Sequence, residues 1–65
     1  MDELEREAHR HISKVEQTCE YLENNKLNDP QLPDRKKQFI QKDVDAMRFL
    51  LEYAKEALAQ RGVRL

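Results

Sequence analysis

Sixty-five residues make one domain at most, and a core of this size is marginal, because small chains bury a smaller share of their surface. Twelve basic residues against 13 acidic ones, net −1, leave no strongly basic face for nucleic acid or an anionic membrane. One cysteine excludes an internal disulfide, no Cys/His pair has zinc-ligand spacing, and one glycine leaves no phosphate-cradling loop.

The N-terminus, MDELEREAHRH, is charged and has no apolar core, so it does not read as a secretory signal. No window approaches 18 consecutive apolar residues, the length of a membrane span. A cytoplasmic location is the default expectation, and a lone thiol is consistent with a reducing compartment. Small folds usually gain stability from disulfides, metal or association, so association is the route left by elimination.

Asp2 predicts the cap of a first helix, with Glu5 three residues on as its capping-box partner. Asp2, Glu3, Glu5 and Glu7 also place negative charge at the positive end of the helix dipole. Leu4, Ala8, Ile12, Val15, Cys19 and Leu22 then recur at spacings of three and four, forming a single narrow seam. Glu3 and Glu7 lie within reach of Arg10 and His11 on the polar face. Asn24, Asn25 and Lys26 end the pattern, and asparagine tolerates the left-handed conformation common after helices.

The connection NKLNDPQL carries an Asp29-Pro30 turn signal, and Pro30 and Pro33 prevent the two helices from fusing. Leu27 and Leu32 are expected to tuck under the helix ends. Pro33 suits the first position of the second helix, where a missing N–H costs nothing. A loop of about 8 residues can reverse the chain, so the helices should lie antiparallel. The fold class is therefore an all-α antiparallel two-helix hairpin, helix 1 about residues 2–25 and helix 2 about 33–61, in a single domain covering 1–65.

The second helix carries two apolar stripes. The inner set is Ile40, Val44, Met47, Leu51, Ala54 and Leu58, which the first helix can cover. The outer set is Phe39, Ala46, Leu50, Tyr53 and Ala57, centred about 110° around the helix, with Phe49 extending it. Gly62 is placed to end the helix, with Val63 as the apolar contact behind it. Arg35, Lys36 and Lys37 sit at the positive end of the dipole and read first as a solvated basic turn, with contact to an acidic partner as the alternative.

Catalysis has no visible carrier. His9 and His11 are two apart and diverge by about 200° on a helix, so they do not share a metal, and a surface role without chemistry is expected of both. Cys19 lies in the apolar seam, two turns from His11, and Asp43 and Asp45 fall on different sides. No enzyme activity, cofactor, metal or small-molecule substrate is expected. The outer residues Phe39, Ala46, Phe49, Leu50, Tyr53 and Ala57 are the candidate partner-binding site.

The stretches LENNKLNDPQ (22–31) and FIQKDVDAMRFLLEYAKEAL (39–58) give the chain a family likeness. It resembles the YscE-like two-helix co-chaperones of type III secretion systems, in length and architecture more than in motif. The resemblance implies a cytosolic, non-enzymatic hairpin that binds a larger, tetratricopeptide-like chaperone and helps hold a needle subunit unpolymerised. The alternative is a self-associating hairpin whose second copy completes a four-helix bundle, acting as a small regulator or anti-repressor. A nucleic-acid binder using Arg35, Lys36 and Lys37 is disfavoured by the balanced charge.

Overall fold

The structure, a computed structural model, describes residues 2–63. Helix α1 spans Glu3–Tyr21, runs into a π-helical turn at Leu22–Lys26, and is followed by helix α2 at Asp34–Gln60. No strand occurs among the described residues. The hairpin is a rod of 45 × 15 × 13 Å, so one interhelical seam serves as its entire core.

Helix α1 starts where the sequence places it. The Asp2 carboxylate accepts a hydrogen bond from the Glu5 N–H at 2.8 Å, satisfying a backbone donor that the helix itself leaves free.

The end of α1 differs from the expectation of a left-handed asparagine. No residue other than glycine has a positive φ among the described residues. The chain instead widens into the π turn, with the Leu27 N–H donating to the carbonyl of Leu22, five residues back, at 2.9 Å. In a continuing α-helix Leu27 would point about 140° away from Leu22. The wider turn brings it back, and both leucines are half-buried. The asparagines act through their side chains: Asn25 Nδ2 donates to the Tyr21 carbonyl at 3.0 Å and Asn28 Nδ2 to that of Asn24 at 3.4 Å.

The reversal uses Asp29 and Pro30 as expected. The Asp29 carboxylate accepts from the Gln31 N–H at 2.9 Å, and the Leu32 N–H donates to the Asp29 carbonyl at 3.2 Å. Pro33 sits one residue earlier than predicted. With ψ 145° it is the extended N-cap residue, and Asp34 opens the helix. Its carbonyl accepts the first helical bond, from Lys37 N–H at 3.0 Å.

Two cross-helix ion pairs fix the register. Lys55 Nζ lies 3.2 Å from Glu16 Oε2, and Arg48 pairs with Glu23. The partners are seven residues apart on each helix and run in opposite directions, as an antiparallel heptad seam requires. Along the seam pack Ile12, Cys19, Val44, Leu51, Leu58 and Val63, all buried. Ala8, Val15, Leu22, Ile40, Met47 and Ala54 flank this core. The inner stripe is thus seated as predicted. Leu4 is the exception: the register carries it past Gln60, where α2 has ended, and it is 62% exposed.

The C-terminal end of α2 closes through Gly62 at φ 84°. The Val63 N–H donates to the Leu58 carbonyl and the Gly62 N–H to that of Ala59, both at 3.0 Å. This is the paired bonding of a Schellman motif, and it folds Val63 back into the core.

Two stability measurements check this arrangement. Leu51→Asp should unfold the hairpin at room temperature, because burying an unpaired charge costs more than about 3 kcal/mol. Half-buried Val15→Asp should lower the melting temperature by less; wild-type melting in both variants would contradict the seam. Gly62→Ala meets no atom within 4 Å, so its cost is backbone strain alone. That is about 1–2 kcal/mol, a drop of several degrees in the circular dichroism melt.

Candidate partner-binding face

Helix α2 turns its inner stripe to α1 and presents a second stripe to solvent. Phe39 is 56% exposed, Phe49 72%, Leu50 63% and Tyr53 69%. Ala46 is exposed between them, and Ala57 is half-buried. The six predicted site residues therefore share one side of one helix. Helical geometry brings them together: Phe39, Ala46 and Tyr53 repeat at seven, and Leu50 and Ala57 form a parallel row.

These residues stay uncovered for a geometric reason. Helix α1 has one apolar seam, and it is used up on Ile40 through Leu58. The polar flanks of α1 cannot replace it. They are committed at one edge to the pairs Glu16–Lys55 and Glu23–Arg48, which sit on the far side of the core from the outer stripe. The hydrogen bond that Arg48 donates to Glu23 is the main reason its guanidinium pKa is raised above its ordinary value.

The outer stripe has charged edges. Lys42, Asp43 and Glu56 are exposed and belong to no ion pair among the described residues. Tyr53, Glu56, Ala57 and Gln60 line a shallow depression. They are positions i, i+3, i+4 and i+7 of one helix, the four residues that make a hole for a knob from a facing helix.

Other sequence candidates stay apart. His11 Nε2 lies 3.3 Å from Glu7 Oε2, and Glu7 also holds Arg10 at 2.5 Å, so this is a solvated cluster on one turn. His9 departs from the expected surface position. It is half-buried beside Ile12, Ser13, Glu16 and Lys55, and its Nε2 is closed off from solvent without a partner. Cys19 is fully buried in the seam, in keeping with a small packing residue. Asp43 and Asp45 are both exposed and face different sides; the Asp45 carboxylate accepts from Gln41 at 2.9 Å. Arg35 and Lys36 are exposed at the start of α2 and Lys37 is half-buried, one turn before the outer stripe begins.

The cross-helix pairs were missed in the sequence, although a signal was present. Glu16 and Glu23 are seven apart, as are Arg48 and Lys55, and opposite charges at matching heptad spacing predict flanking pairs in an antiparallel hairpin. No family model, curated protein or solved structure matches the chain.

Proposed function

We propose that this chain is a small non-enzymatic adaptor that works in the cytoplasm by laying the outer face of α2 against a helical surface of a protein partner. The observation that carries this reading is the exposure of Phe39, Phe49, Leu50 and Tyr53 on one side of a helix whose other side already forms the core. A contiguous apolar patch of this kind is costly to leave in water and is the usual mark of an interface. Burying one such side chain contributes about 1.5–3 kcal/mol, so three or four anchors can outweigh the entropic cost of association.

The YscE-like resemblance describes one form of this role, in which the partner is a larger helical chaperone of type III secretion. The basic cluster Arg35-Lys36-Lys37 would then meet acidic groups at the partner's edge. The common requirement is that the partner brings a helix face of its own, because a row of large and small side chains repeating at seven accepts knobs at helical spacing.

Leu50→Glu and Tyr53→Glu test the reading. Both side chains point away from α1, so each variant should keep the circular dichroism melt of the isolated hairpin within about 0.5 kcal/mol of wild type. Each should also abolish the complex seen by size-exclusion chromatography, since it buries a charge in the middle of an apolar contact. An early melt with an intact complex would mean that this face belongs to the core.

A further inference from the structure

Resting on the proposal that the outer face of α2 is a docking surface, we infer that its occupant is the same face of a second copy, running antiparallel. The argument is self-complementarity in size and charge. Extended by its polar positions, the outer stripe reads Phe39, Asp43, Ala46, Leu50, Tyr53 and Ala57, with spacings of four and three throughout, the core pattern of a second heptad seam. Two antiparallel copies can be set so that Phe39 meets Ala57 of the other copy, Ala46 meets Leu50, and Asp43 meets Tyr53. Phe39 and Leu50 then each face an alanine, and the one carboxylate in the seam faces the one hydroxyl, which can donate to it.

The flank obeys the same register without adjustment. On the edge away from α1 lie Lys42, Phe49 and Glu56, again seven apart. In the stated alignment Lys42 meets Glu56 of the other copy on both sides of the two-fold axis, and the Phe49 rings meet each other across it. Lys42 and Glu56 are exposed and in no ion pair among the described residues, so both are free to form these contacts. Phe39 of the other copy also arrives over the depression formed by Tyr53, Glu56, Ala57 and Gln60, which has the shape of a coiled-coil hole.

A single alignment thus pairs the apolar layers, the charges and the hole with its knob. A face made for an unrelated partner has no reason to be complementary to its own reversal. A two-fold interface demands it. Four half-exposed large side chains per copy bury on the order of 1,200 Å² in total, at the lower edge of specific stable interfaces, so a micromolar dimer is expected. The product is a four-helix assembly with the two α2 helices at its centre. Because the two stripes of α2 are about 110° apart, both α1 helices lie on the same side of the central pair.

Charge reversal tests partner and register together. In sedimentation equilibrium the full chain should dimerise. Lys42→Glu and Glu56→Lys should each weaken the dimer roughly tenfold, because each creates two like-charge contacts. The double variant should recover wild-type affinity, and mixed with wild type it should form few mixed dimers by native mass spectrometry. All four positions of the two copies are exposed, so circular dichroism melts taken on dilute, monomeric chain should be unchanged. A wild-type chain that stays monomeric into the millimolar range overturns the second copy as occupant while leaving the docking face intact. A double variant no tighter than the single ones, or free mixing with wild type, overturns the antiparallel register. A dimer undisturbed by Leu50→Glu would overturn the docking face itself.

Discussion

A single narrow seam on α1 meets a helix that is apolar on two sides, and most features of this molecule follow from that mismatch. Two packed helices share one contact line, so a hairpin can bury one stripe of each. The stripe that α1 covers carries aliphatic side chains and Met47 but no aromatic ring, and Cys19 of α1 and Val44 of α2 are the most deeply buried residues of the seam. Every phenylalanine and Tyr53 lie on the other side of α2. The bulkiest side chains, which have most to gain from leaving water, are thus those the hairpin does not use.

The ends of the hairpin show how little slack the seam has. At one end the π turn adds width to the helix so that Leu27 returns to the seam after Leu22. At the other, Gly62 reverses the chain so that Val63 completes the core past the last turn of α2. Both devices lengthen a core that two straight helices would leave short. The pairs Glu16–Lys55 and Glu23–Arg48 add little energy at half-exposed positions, but they exclude registers shifted by three or four residues, which would place like charges or no charges together.

Much of this was legible in the sequence because heptad periodicity is a strong signal over long helices. The inner stripe, the exposed stripe, the Asp29-Pro30 turn and the Gly62 cap could all be read from residue type and spacing. The errors lie where backbone geometry leaves the α-helical ideal. A π turn has no sequence signature of its own, so Asn24 and Asn25 were assigned to a left-handed cap, whereas the side chains of Asn25 and Asn28 bind backbone carbonyls one turn back. Pro33 was placed one residue late because proline is tolerated both at the cap and just inside it. Leu4 fits the seam by spacing, and only the register, set by side chains on two helices, shows that α2 ends before reaching it. His9 was assigned to the surface because its flank position, not its spacing, decides how far the ring is covered.

The same reasoning separates the two apolar stripes by their composition. A seam that packs within one chain is held together by the loop, so its ordering cost is small and modest side chains such as Ala8, Val15 and Ala54 suffice. A seam that must bring separate chains together has to offset lost translational and rotational freedom, and large anchors do so more efficiently per residue ordered. Helix α2 divides its aromatic residues along this line, with Phe39, Phe49 and Tyr53 all outward and only aliphatic side chains and Met47 inward. Alanines at 46 and 57 then belong to the outer face as recesses for large side chains from the facing helix. A face bearing only large residues would hold a partner helix away, whereas alternation of large and small lets two backbones approach and interdigitate.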